Sequence, residues 1–181
     1  MPEPPATGAV RNPDLLAVYC NDHLAAATGL IELVGRMLGR HRGSRFEEPL
    51  ERLLDELREQ RAALRTTMGA MGLPVRRYKL AAVWVAEKLG RGALNGRLLT
   101  RSPLSDLLEF EIAVTAVLAM RQGFQTLSAL GQVDRRVDAD LHARLVEQTG
   151  RQHRWLSAAR REVAATVFGG RPEAAAAAAG S

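Results

Sequence analysis

Cysteine, lysine, aromatic residues and long apolar runs are all scarce in this chain, and each scarcity excludes something. A single cysteine, Cys20, in 181 residues rules out an intramolecular disulfide and a zinc site built from cysteines. An aromatic content of 4% is low for a β-sandwich and for a protein that stacks nucleic-acid bases. No stretch approaches the ~18 apolar residues that a membrane-spanning helix needs. Residues 1–13 hold four prolines and no apolar run, unlike a signal peptide, so the chain reads as cytoplasmic. Only two of the 25 basic residues are lysines, Lys79 and Lys88. That bias, with abundant alanine, points to a GC-rich bacterial genome rather than to a function.

What is present suits a globular domain. The hydrophobic fraction is 46% and the charged fraction 25%, both ordinary values. A chain of 19.7 kDa buries about 70% of its unfolded surface and needs no metal to hold a core. Four long segments show helical periodicity, and none alternates with period two, so the fold class is all-α. The first helix follows Asn12, an N-cap residue, with Pro13 in the first turn. Its apolar stripe runs Leu16, Cys20, His23, Ala27, Leu30, Val34, Met37, with Asn21, Asp22, Glu32 and Arg36 on the opposite face. The second starts near Ser44, carries Leu50, Leu53, Leu57, Gln60, Leu64 and Met68 on one face, and stops at Gly72 and Pro74. The third starts at Ser102-Pro103 and ends at Gly131. The fourth starts at Asp134 or Asp138 and runs to Phe168, with the stripe Leu145, Thr149, Gln152, Leu156, Val163, Val167. Residues 1–12 and 169–181 read as disordered tails around a bundle spanning 13–168.

The connections are uneven. A few residues join helices one and two, and likewise three and four, which makes two antiparallel hairpins. Between the hairpins lie 29 residues, Leu73 to Arg101, with a shorter helix expected from Arg76 to Leu89. Hairpin, long crossover (73–101), hairpin is the pattern that resembles the ferritin-like four-helix bundles. The runs NDHLAAATGLIEL (Asn21 to Leu33) and NGRLLTRSPLSDLLEFE (Asn95 to Glu111) are also similar to a group of bacterial ferritin-like proteins. That resemblance implies a fold and no particular activity.

Di-metal members of that superfamily take one Glu from each of two helices and a Glu-x-x-His from each of the other two. Here the second helix has Glu56 and Glu59 but no histidine, and the residue three before His153 is Gly150. The motif therefore fails in both helices. Levels counted from the two turns gather His23, Gln60, Glu111, Thr115, Thr149, Gln152 and His153 in a central polar layer. One reading is a hydrogen-bonded layer in which Arg61 or Arg121 neutralises Glu111. The other is a single metal held by His23, Glu111 and His153, with Glu56 as a further ligand. No cofactor is expected on the first reading.

Three further features bear on function. Cys20 and His23 share a stripe, but no third group supports a nucleophile, so an inert buried thiol is expected. The crossover carries Arg76, Arg77, Lys79, Lys88, Arg91, Arg97 and Arg101 against Glu87 alone, more than the whole net charge of +5. It either pairs with neighbouring acids or meets an anionic polymer or membrane face, with no sequence-specific nucleic-acid motif. The third helix is apolar nearly all round from Ile112 to Met120, which calls for cover by the crossover or by a second subunit, hence an expected homodimer. The leading functional expectation is a non-enzymatic bundle without a di-metal centre. The alternatives are a metal-binding oxidoreductase or storage protein with a reduced ligand set, and a peripheral binder acting through the crossover.

Overall fold

Local signals in the sequence start and stop each helix. Asn12 accepts a hydrogen bond from the Leu15 amide at 3.1 Å, and Pro13 occupies the first turn, where no amide is needed. Asp138 does the same for Leu141 at 2.8 Å. Gly72, with φ of +68°, closes the second helix. The Leu73 amide reaches the Met68 carbonyl and the Gly72 amide that of Gly69, while Leu73 and Met68 share one apolar cluster. The computed structural model describes residues 10–76 and 103–169, and its helices are α1 (Pro13–Arg40), α2 (Glu47–Ala70), α3 (Pro103–Gly131) and α4 (Ala139–Phe168). Among the described residues there is no strand. The helix expected over Arg76 to Leu89, most of the crossover and most of both tails lie outside the described residues.

One boundary differs from expectation, and of the two starts expected for the last helix the structure selects Asp138. The second helix begins at Glu47 rather than Ser44. Ser44 instead stabilises the turn, its hydroxyl accepting from the Phe46 amide while Glu47 accepts from the Gly43 amide. Asp134 is not the cap of α4. It is buried in the preceding turn, where Arg136 donates to both its carboxylate oxygens at 3.0 and 2.7 Å. Those bonds hold its carboxyl below the ordinary aspartate value.

Pairwise contacts set the helix directions. Tyr19 donates to Thr126 at one end of the α1–α3 pair, and Arg40 meets Asp106 and Glu109 at the other. Arg45–Glu162 and Thr67–His142 do the same for α2 and α4. Glu111–Arg160 and Ser128–Ala139 do so for α3 and α4. Every neighbouring pair is therefore antiparallel, and α2 runs parallel to α3. The chain leaves α2 at one end of the bundle and enters α3 at the other, about 43 Å away for the 29 residues of α3.

The core follows the helical period. On α3, Leu107, Phe110, Ala113, Val117, Met120, Phe124 and Leu127 are buried at steps of three and four. The first four meet Leu30, Val34 and Met37 of α1, Leu50 and Leu57 of α2, and Leu156 of α4 in the larger half of the core, while Met120 and Phe124 pack with Ala27 and Leu145. The rings of His41, Phe46, Phe110 and Trp155 close that end, with centroids 5.4 to 6.4 Å apart. A smaller cluster of Ala17, Cys20, Leu64, Met68, Leu127 and Val137 closes the other end.

Asn21, expected on the solvent face of α1, is buried. Its amide donates to Ala17 O at 2.7 Å and Pro74 O at 2.9 Å, and its oxygen accepts from the Arg76 amide at 2.8 Å. One side chain thus ties the chain leaving α2 to the side of α1. Removing core volume tests the packing. Leu57→Ala is expected to cost about 2–5 kcal/mol in urea unfolding, and Leu15→Ala, at a site 66% exposed, less than about 0.5 kcal/mol.

Candidate functional site

Two seams run along the bundle interior, and they differ in width and chemistry. The α1–α3 seam is tight. A Cβ at Gly123 would lie 2.9 Å from the His23 ring, so only glycine lets the imidazole pack there. His23 also meets Tyr19 edge-on, with ring centroids 4.5 Å apart. Beneath it a void of about 10 Å³, bordered by Cys20, His23, Leu64, Phe124 and Leu127, has room for one water molecule. Burial pushes the Cys20 thiol up to about 11, so on the order of 10⁻⁴ of it is thiolate at neutral pH. Burial also lowers His23 below the ordinary imidazole value, with Asp22 opposing. An inert thiol beside a neutral imidazole is the chemistry this seam offers.

The α2–α4 seam is wider, since these helices approach less closely than the other neighbouring pairs. Long polar side chains bridge it. Gln60 donates to Gln148 at 2.8 Å, and Gln152 donates to Glu56 at 2.6 Å. Thr149 lies in the same stripe but returns its proton to its own helix at Leu145 O, 2.8 Å away. The amide oxygens of Gln60 and Gln152 are buried and accept no hydrogen bond among the described residues. Farther along, His142 is fully buried against Phe124. Its Nδ1 lies 2.7 Å from Asp138 O, which can only accept, so Nδ1 carries the proton, and Nε2 faces the Thr67 hydroxyl at 3.4 Å.

The expected central layer forms only in part. Gln60, Thr149 and Gln152 are buried as expected, and Glu56 joins them. His23 does not. It sits opposite Leu64 rather than Gln60, because the α1–α2 turn is centred later than residue 42 and moves the register by one helical turn. Glu111 is farther off. It lies twelve residues before Gly123 on α3, roughly 18 Å from His23 along the axis. Its partner is neither Arg61 nor Arg121 but Arg160, at 3.0 Å and half-exposed. Thr115 is exposed and bonds its own helix at Glu111 O. His153 is half-buried next to Gln152, at the level of Glu56, and so roughly 12 Å along the axis from the level of Leu64 and His23. His23, Glu56, Glu111 and His153 are therefore spread over three levels, and the single-metal set is not assembled. Among the described residues no three His, Cys, Asp or Glu side chains are placed to hold one ion. Of the basic crossover residues only Arg76 is described. It is exposed, and Arg77, Lys79, Lys88, Arg91 and Arg97 lie outside the described residues.

The sequence reading missed His142, Asn21, Gln148 and Arg160. The first was within reach, since residue 142 extends the stripe of 145, 149, 152 and 156 by one step. No family model, curated protein or solved structure matches this chain. Among the described residues no helix is long and apolar enough to cross a membrane.

The histidines give this interior a pH dependence. Burial lowers His23, His41 and His142 below the ordinary imidazole value of 6.5. The unfolded chain then binds more protons than the folded one as pH falls below 6.5, so their contribution is complete above that pH and is lost beneath it. The melting temperature is expected to change little from pH 7.5 to pH 6.5 and to fall from there to pH 5. His142→Gln should flatten that slope, and an unchanged slope would show that His142 is not buried neutral.

Proposed function

We propose that this chain is a bundle of the ferritin-like type that works without a di-metal centre, as a non-enzymatic subunit. The helix directions support the type. All neighbouring pairs are antiparallel, α2 and α3 are parallel, and one long connection must return along the bundle. The composition of the wide seam carries the rest. Where a di-metal protein needs four carboxylates and two histidines, the stripes of α2 and α4 supply Gln60, Gln148, Thr149 and Gln152 around one carboxylate, Glu56. Neutral amides bind hard cations weakly compared with carboxylates, and Glu56 is already held by Gln152. The layer instead sets the register of α2 on α4 through directional hydrogen bonds.

Purified protein is expected to carry far less than one equivalent of iron, manganese or zinc by mass spectrometry. One or two equivalents per chain, lost on Glu56→Ala, would defeat this reading.

We further propose that the subunit pairs with a second copy through α3. Leu118 is 40% exposed, and Ile112, Val114 and Ala116 are only partly buried, although this stretch has no polar face. Two-fold pairing is the commonest closed arrangement for such a face. Sedimentation at micromolar concentration is expected to give a species near twice 19.7 kDa. Leu118→Glu should convert it to monomer, and a monomer in the unmodified protein would exclude pairing through α3.

A further inference from the structure

Helix α1 packs against α2 and α3 and turns its remaining face outward. Val18, Asp22, Glu32 and Arg36 mark that face, and all four are exposed. Gly29 lies among them, seven residues from both Asp22 and Arg36 and so on one line with them along the helix, yet it is buried. Leu33, one turn farther on at the edge of the same face, is 1% exposed. A helix does not hide its own glycines. Gly35 in α1 is half-buried with no atom within 4 Å of an added Cβ, and Gly39 and Gly69 are exposed. Something therefore lies across α1 at Gly29 and Leu33, and among the described residues no element is placed there. The shielding arises within a single chain, so a second copy is not its source.

Both ends of the connection between the hairpins are tied to this same helix. Where the chain leaves α2, Asn21 holds the Pro74 carbonyl and the Arg76 amide. Where it enters α3, Asp106 and Glu109 in the first two turns meet Arg40. Asn21 and Arg40 are about 28 Å apart along α1, with Gly29 and Leu33 between them. The 26 residues 77–102, which lie outside the described residues, join those two points. The tails start elsewhere: Val10 packs at the Ala17 end of the bundle, and Gly169 closes α4, diagonal to α1.

We infer that the outer face of α1 from Gly29 to Leu33 is the docking surface for residues 77–102. A glycine at the centre of the face lets another stretch of backbone approach closely. The run LAAVWVA (Leu80 to Ala86) supplies apolar side chains to cover Leu33. Charge is complementary as well. Residues 77–102 carry six basic residues against Glu87 alone, and the exposed acids Asp22 and Glu32 flank Gly29 without an ion pair among the described residues. The basic connection then serves the bundle itself, in place of the anionic polymer or membrane face considered for it. The inference stands apart from the pairing proposed through α3.

Photo-cross-linking tests the surface. Glu32→p-benzoylphenylalanine in the full chain, irradiated as an equal mixture of nitrogen-15-labelled and unlabelled protein, is expected to give cross-links to peptides within 77–102 of the same chain. The same probe in place of Arg144, exposed on the diagonal helix α4, should give none. Cross-links from position 32 to either tail, or between labelled and unlabelled chains, would overturn the inference. Limited trypsin digestion gives a second readout, since native-state cleavage follows local opening. Gly29→Leu should speed cleavage after Lys79, Lys88 and Arg91 several-fold without loss of helical circular dichroism. Gly35→Leu, on the same helix but with open space around it, should leave the rate unchanged. Equal rates in the two variants would place the segment off Gly29 and sink the proposal.

Discussion

Antiparallel pairing of every adjacent helix is the constraint on which the remaining architecture depends. Backbones that run in opposite senses place the two hairpins side by side and leave α2 and α3 on a diagonal, pointing the same way. The chain cannot then pass from one hairpin to the other through a short turn. The end of α2 and the start of α3 lie at opposite ends of the bundle, and the number of residues between 76 and 103 is sufficient to join them. The same arrangement creates four seams, which are not equivalent, and the protein fills them with different chemistry.

The tight seam between α1 and α3 is built on a glycine under an imidazole, and the wide seam between α2 and α4 on glutamines that span it. Narrowing one side of a four-helix bundle opens the opposite side. Side chains long enough to bridge the wider gap must be found, and amides do so without bringing charge into the interior. Among the described residues two of these amide oxygens have no donor.

Much of this was legible from the residues alone. Caps at Asn12 and Asp138 and the stops at Gly72 and Gly131 are local chemistry, and a sequence displays local chemistry directly. Periodicity identified Gln60, Thr149 and Gln152 as interior positions because a helix repeats predictably. Level across the bundle was harder. A turn longer by a few residues moves every partner by a helical turn, which separated His23 from the glutamines and gave Glu111 to Arg160. Asn21 was misplaced for a different reason. Its polarity suggested solvent, whereas three backbone groups, one on its own helix and two in the stretch after α2, supplied the partners that make its burial favourable.

That clamp also imposes an order on folding. Asn21 and the carbonyl of Pro74 are separated by 53 residues, yet both belong to the first hairpin and its immediate C-terminal extension. They meet as soon as α1 and α2 close on their short turn, before any contact with α3 is required. Contacts between α1 and α3 span about twice that distance, 107 residues for Tyr19 and Thr126, and carry the larger loop-closure entropy. A nascent chain can therefore finish the first hairpin and anchor the start of the crossover to it while the second hairpin is still being synthesised. The direction in which the crossover departs is settled before its destination exists.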